Sequence, residues 1–179
     1  IDINSRVAEN MREPIQLLYL AGLMQSLGAR IFVRDYSFPR YTIDNVRNDL
    51  QQFIPDWFYM ETTQGTFSKD LAFIATLMEN GSTFKVILKA PFLDEEYLRK
   101  MLAQKPLPST IMIYFMTRDF ELTMKMMLEN TQAPGVFVWH DGSLSVPRDQ
   151  GQGNTFGLDE YPIPPRHWLN KFDYVRPDT

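Results

Sequence analysis

Side chains that can bind a ligand follow three predicted strands, at the points where those strands end. Thr62 and Thr63 come after one apolar run, Lys89 follows the next, and Met116 follows the third. Hydroxyl and amine groups can hold amides or phosphates, and the carboxyl ends of parallel strands meet along one edge of a sheet. The spacing therefore predicts a ligand-binding site at that edge.

Further positions complete the predicted site. Gly65 leaves the backbone open beside the threonines, and Ala90 follows the lysine. Asn4 and Ser5 would follow a first strand at the start of the chain. Ordinary structural roles stay open for all of them, because threonines cap helices, lysines are common in exposed loops, and chain ends are often mobile.

The composition lacks residues that several kinds of metal site and enzyme require. The chain has no cysteine, so it holds no disulfide, no iron–sulfur cluster and no thiolate-bound zinc. The two histidines, His140 and His167, are too few for a histidine-rich metal site, and no G-x-S-x-G turn occurs. We therefore predict no catalytic and no metal-ligating residue. These features favour a binding domain over a self-contained hydrolase.

Length and charge set the class of protein. The 179 residues suffice for one domain with a sizeable core. A net charge of −4 without a long basic run argues against nucleic acid as a partner. No apolar stretch approaches the roughly 20 residues that span a bilayer, and the first residues do not resemble a signal peptide. We therefore expect a cytoplasmic protein without a membrane partner.

Short apolar runs alternate with stretches of helical periodicity along most of the chain. This alternation predicts an α/β fold, and we expect a flavodoxin-like three-layer sandwich with a mainly parallel sheet of about five strands. The predicted helices cover 15–27, 43–53, 67–80, 94–104 and 120–129, and the predicted strands cover 31–33, 57–60, 84–88 and 111–115.

A hairpin and an arm follow the alternating elements. Asp141-Gly142 lies between two β-rich runs, which is a strong hairpin signal. Beyond it the composition changes to polar and glycine-rich, and then to proline and aromatic residues. We expect residues 1–146 to form the α/β domain, and 147–179 to form a loop and an extended arm. Apolar arm residues such as Ile163 and Trp168 are expected to pack.

Several short motifs also follow one another in a set order. A proline precedes a helix and a glycine, a Pro-Asp pair precedes a strand with threonines after it, a Pro-Gly pair precedes the hairpin, and a proline-rich run closes the series. In this chain they are Pro14, Leu18-Tyr19-Leu20-Ala21, Gly28, Ile31 to Asp35, Pro55-Asp56, Thr62-Thr63, Pro134-Gly135, Asp141-Gly142 and Leu158-Asp159-Glu160-Tyr161-Pro162-Ile163-Pro164.

Over about residues 14–174, this order and spacing resembles the amino-terminal cobalamin-binding domain of cobalamin-dependent radical S-adenosylmethionine enzymes. The resemblance implies a corrinoid-binding module that presents cobalamin to a catalytic radical barrel outside this sequence. The iron–sulfur cluster and S-adenosylmethionine would belong to that barrel. No activity is therefore expected from this chain alone, and its expected partners are cobalamin and the barrel.

The chain also departs from the family's pattern. Lys89-Ala90-Pro91 stands where a Gly-Gly pair is common, and Arg118-Asp119-Phe120-Glu121 stands where G-E-x-E is common. The D-x-H-x-x-G motif, which supplies a histidine to cobalt in other cobalamin proteins, is absent. A second interpretation is therefore a degenerate domain that binds no corrinoid and acts as a scaffold. A third is a stand-alone receiver or flavin-type domain.

Overall fold

The computed structural model describes most of the chain between residues 15 and 168, and its described residues form two compact units. One unit runs to residue 53 and includes the described arm residues, and the other begins at residue 54. The single domain expected over 1–146 stays a prediction. The described residues are 15–36, 40–78, 84–104, 107–116, 136–146, 163 and 165–168.

The first helix, α1, covers Ile15–Ser26, close to its predicted bounds. It ends in a Schellman motif, in which the Ala29 amide donates to the Met24 carbonyl at 3.0 Å and the Gly28 amide to the Gln25 carbonyl at 2.9 Å. Gly28 has a φ of 90°, which a residue with a Cβ rarely adopts. This explains why the glycine marks the end of the helix.

The second helix, α2, covers Ile43–Phe53, as the sequence predicts. Thr42 is its N-cap residue, since its carbonyl accepts from the amides of Asn45 and Val46. The Asn45 side chain reaches back to accept from the Thr42 amide at 2.8 Å. This reciprocal bond fixes where the helix begins.

The strand predicted at 31–33 is wrong, because these residues belong to no strand in the structure. Side chains around them are bonded to α2 instead. Arg30 donates to the Phe53 carbonyl at 2.6 Å, and both Arg34 and Tyr36 donate to the Asp49 carboxylate. The β-rich composition is therefore used for packing against a helix rather than for pairing in a sheet.

The second unit contains a five-stranded sheet in which the described strands lie in chain order. The first three strands are parallel, and the last two pairings are antiparallel. The strands are β1 (Trp57–Glu61), β2 (Lys85–Lys89), β3 (Ile113–Met116), β4 (Val136–His140) and β5 (Ser143–Ser145).

The expected α/β class is confirmed, and the expected mainly parallel pairing is corrected to a mixed sheet. The described sheet has five strands, of which two form the hairpin expected in addition to the sheet. The predicted hairpin is present, but it continues the sheet instead of forming an addition to it. Asp141 and Gly142 have φ values of 51° and 73°, as a two-residue type I′ turn requires. That turn returns the chain antiparallel to β4.

Two helices cover one face of the sheet. The helix α3 (Phe67–Met78) connects β1 to β2, and α4 (Glu95–Gln104) connects β2 to β3. The Phe67 ring lies 6.1 Å from that of Phe115 on β3 and 6.1 Å from that of Tyr97 on α4. Right-handed crossovers that step in the same direction place their helices on the same face, which agrees with these contacts.

The opposite face of the sheet carries a second apolar cluster. It consists of four buried residues with three partly buried aromatic rings beside them. These side chains alternate along the strands with those that face α3 and α4, as the period of two in a strand requires. The cluster comprises Ile87, Met116, Val136 and Val138, with Trp57, Tyr59 and Tyr114 packed against it.

Several expected elements lie outside the described residues, namely the first strand at 1–3, the helix at 120–129 and most of the arm. The described arm residues include a short 3₁₀ helix, Arg166–Trp168, in which the His167 and Trp168 rings are 5.7 Å apart. Ile163 is exposed, so its predicted packing is wrong. None of the described helices is long and apolar enough to cross a membrane.

Candidate functional site

The carboxyl ends of the three parallel strands lie side by side. Glu61 pairs with Lys89, and Lys89 pairs with Met116, across the two parallel ladders. The hydrogen bonding continues one residue further, because the Thr62 amide donates to the Lys89 carbonyl at 3.0 Å and the Ala90 amide to the Met116 carbonyl at 2.8 Å. The structure therefore brings together the predicted site residues that follow these strands.

The Thr62 side chain is buried and bonded inside the unit. It is 6% exposed, and its hydroxyl donates to Asp70 Oδ2 at 2.5 Å. Asp70 lies in the first turn of α3, where the helix dipole also favours a carboxylate. A hydroxyl-to-carboxylate bond of this length is charge-assisted and strong. Thr62 thus joins the end of β1 to the start of α3.

The loop that follows Thr62 caps α3 and stays at the surface. The Thr63 carbonyl accepts from the Phe67 amide at 2.9 Å, and the Thr66 hydroxyl accepts from the Thr63 amide at 3.2 Å. Thr63 and Gly65 are exposed, and a Cβ added at Gly65 would meet open space. The capping role is present, and these two residues also leave an accessible polar surface.

A chain of polar side chains lies beside this loop on the face of the apolar cluster. Glu61 Oε1 accepts from the Lys89 amine at 3.2 Å and from the Tyr59 hydroxyl at 2.9 Å. Burial raises the pKa of Tyr59 above its usual value, and the neighbouring Glu61 carboxylate raises it further. The phenol therefore keeps its proton, and the lysine is held by a carboxylate at the end of the neighbouring strand.

The remaining predicted positions at this edge lie below the surface. Ala90 is fully buried and Met116 almost so. Asp94 closes the loop after β2 by accepting from the Tyr97 amide at 2.7 Å, which caps α4. Of the predicted residues at the edge, Thr63 and Gly65 are exposed and Lys89 partly so, whereas Thr62, Ala90 and Met116 form the floor beneath them.

Other positions are not brought to this edge. Asn4 and Ser5 lie outside the described residues. His140 ends β4, which runs antiparallel to β3, so it lies at the opposite end of the sheet. Among the residues that the structure describes, no three histidine, aspartate or glutamate side chains form a group that could hold a metal ion.

Three residues of the site are absent from the sequence-based prediction, namely Tyr59, Glu61 and Asp70. Glu61 had a signal in the sequence, because it is a charged residue at the end of an apolar strand and directly before the threonines. Asp70 lies where acidic residues are common, in the first turn of a helix. Its residue type therefore gives no sign of the bond to Thr62. Tyr59 reads simply as an aromatic strand residue.

These elements define an α/β unit with a mixed sheet, helices on one face and a set of polar residues at the carboxyl edge of its parallel strands. No protein-family model, no curated protein and no solved structure matches the chain.

Proposed function

We propose that this chain is a corrinoid-binding module and that cobalamin binds across the carboxyl edge of the sheet. The observation that supports the proposal is the register at this edge, where Glu61, Lys89 and Met116 lie on adjacent strands. Ligands of open α/β sheets bind outside the carboxyl ends of the strands.

The accessible groups at this edge suit the periphery of a corrinoid, which carries amides and a phosphate. Thr63 and the open backbone at Gly65 would contact the amides. Lys89 would offer its charge to the phosphate in exchange for its bond to Glu61. The bound cofactor would supply a cobalt centre that carries an alkyl group or electrons, while the chain's own residues hold and orient it.

The proposed site also bears on whether a histidine of this chain could bind the cobalt. No described residue at the carboxyl edge is a histidine, since His140 lies at the other end of the sheet. We therefore expect that the described residues give cobalt no imidazole ligand.

The finer features of the proposal follow the family resemblance. The sheet unit would be part of a flavodoxin-like sandwich, and the chain would be the front module of a longer cytoplasmic radical enzyme. The iron–sulfur cluster and S-adenosylmethionine would be held by the barrel of that enzyme, because this chain has no cysteine to ligate a cluster.

A second candidate function is a scaffold of the same fold that binds no corrinoid. The observation that favours it is the floor of the site, where the Thr62 hydroxyl is bonded to Asp70 and Ala90 is fully buried. Ala90 stands where the resembled family commonly has a glycine. Its buried Cβ would occupy space that a glycine at this position leaves open.

Titration with hydroxocobalamin, followed by visible absorbance and calorimetry, separates the two functions. The corrinoid proposal expects saturable binding that Thr63→Trp abolishes, since the indole would cover the exposed loop. Thr110→Trp is the matched control, because Thr110 is an exposed threonine shortly before the amino end of β3, away from the carboxyl edge. Failure of the native chain to bind, or equal loss of binding in both variants, would reject the proposal. Failure to bind would favour the scaffold.

A further inference from the structure

A row of alternating guanidinium groups and aromatic rings lies on the first unit, and we call it the arginine–aromatic row. Arg30 lies 4.4 Å from the centre of the Phe53 ring, and the Phe53 and Phe32 rings are 5.5 Å apart. Arg34 lies 5.2 Å from the Phe32 ring. The row continues from Arg34 to Tyr41 at 5.8 Å and from Tyr41 to Arg40 at 4.9 Å.

One cation of the row, Arg30, is not neutralised by a carboxylate of the described residues. Arg34 forms an ion pair with Asp49 at 2.6 Å. Arg30 has no carboxylate partner among the described residues, and its Nη2 donates to the neutral Phe53 carbonyl at 2.6 Å. Arg30 therefore keeps a positive charge that a carboxylate of a partner could neutralise.

The row also has an apolar surface next to its charges. Phe32 is 42% exposed, an unusual fraction for a phenylalanine, and it lies between Arg34 and Phe53 in the row. Arg30 stacks on the Phe53 ring and uses Nη2 for its bond to the Phe53 carbonyl, so its other N–H donors can contact a carboxylate. The geometry therefore combines cationic edges with one exposed ring.

We propose that the arginine–aromatic row is a docking surface for an acidic peptide segment of a partner protein. A carboxylate of the peptide would pair with the guanidinium group of Arg30. An apolar peptide residue would cover the exposed ring of Phe32. This binding site lies in the first unit and is independent of the proposed corrinoid site in the second.

The ring contacts favour a peptide over single-stranded nucleic acid. Bases bind such proteins by stacking on open aromatic faces. The Phe53 ring already contacts Arg30 and Phe32, and the Phe32 and Tyr41 rings already contact arginines in the row. Carboxylates need the guanidinium edges and not the ring faces, so the row suits carboxylates better.

Fluorescence anisotropy with the full chain tests the surface, using a labelled oligoglutamate peptide as the probe and labelled oligothymidylate as the comparison. We expect oligoglutamate to bind more tightly than oligothymidylate and to weaken as salt increases. Arg30→Gln should weaken oligoglutamate binding by about tenfold, as expected for one charge-assisted contact. The affinity of Arg30→Lys for oligoglutamate should lie between those of the native chain and Arg30→Gln, because lysine keeps the charge but lacks the planar guanidinium group.

Lys100→Gln is the charge-matched control, since Lys100 is an exposed cation on α4 in the other unit. It should leave the affinity for oligoglutamate unchanged, and circular dichroism of each variant confirms that it is folded. An equal loss in Lys100→Gln, tighter binding of oligothymidylate, or no binding of oligoglutamate would each overturn the proposal. Hydroxocobalamin binding is measured on the same variants, so that a failure of the docking surface can be distinguished from a failure of the corrinoid proposal.

Discussion

At the scale of single residues, the candidate site is held by side chains that serve the fold as well. The Thr62 hydroxyl and the Asp70 carboxylate connect the end of β1 to α3, and the Lys89 amine and the Glu61 carboxylate connect β2 to β1. These four polar side chains are thereby fixed in place. The groups left accessible are those of the loop at Thr63 and Gly65 and, in part, Lys89.

The bond between Thr62 and Asp70 leads to a prediction about stability. Thr62→Val keeps the shape of the side chain but leaves the carboxylate without this donor, so it should lower the free energy of unfolding by about 2 kcal/mol. Urea denaturation measures the change. Thr62→Ser, which keeps the hydroxyl, should recover most of it, and Thr63→Val at the exposed position should cost less than Thr62→Val. Equal losses at both positions would contradict this role.

The phenol of Tyr59 leads to a prediction about pH. Its pKa is raised above the usual 10.0 in the folded protein, first by burial and then by Glu61, so the unfolded chain loses the proton first as the pH rises. Stability is therefore full below about pH 10 and declines above it, by up to about 1.4 kcal/mol per pH unit for this group.

Tyr59→Phe removes this titrating group, so its stability should fall less steeply between about pH 10 and about pH 11 than that of the native chain. Tyr36, whose pKa is raised by burial and by its bond to Asp49, should contribute in the same direction. Denaturant unfolding at each pH measures both effects. Parallel pH profiles for the native chain and Tyr59→Phe would show that Tyr59 titrates alike in both states.

At the scale of elements, capping and turn residues correctly predicted where helices end or begin and where the hairpin turns. The glycine at the end of α1, the threonine before α2 and the Asp-Gly turn each have the backbone role that their residue types indicate. The strand expected at 31–33 failed because its neighbours Arg30, Arg34 and Tyr36 bond to α2. Contacts with a distant helix leave no signal in the local sequence.

The turn between β4 and β5 gives a prediction at this scale. Gly142 has a φ of 73°, so Gly142→Ala should destabilise the hairpin by about 1–2 kcal/mol through backbone strain. Gly65→Ala is the control, because its Cβ would enter open space and its φ lies outside the strained region. It should change stability by less than about 1 kcal/mol. Thermal unfolding compares the two, and equal destabilisation would refute the argument from strain.

At the scale of the whole molecule, the sequence predicted the α/β class but not the mixed pairing of the sheet. Apolar runs such as 111–115 and 136–139 are compatible with parallel and antiparallel neighbours, so their direction cannot be read from composition. The carboxyl edge could be predicted because parallel strands have their carboxyl ends at the same end of the sheet. The partners of its side chains could not, because the Glu61–Lys89 and Thr62–Asp70 bonds depend on register and on helix placement.

The central claim is that cobalamin binds at the carboxyl edge of the sheet. Hydrogen–deuterium exchange with and without hydroxocobalamin tests it most directly, because it reports where the ligand protects the backbone. We expect slower exchange at residues 62–66 and 90–94, and no change at the 140–143 turn on the opposite edge. Protection of the turn, or unchanged exchange in both loops at saturating hydroxocobalamin, would contradict the claim.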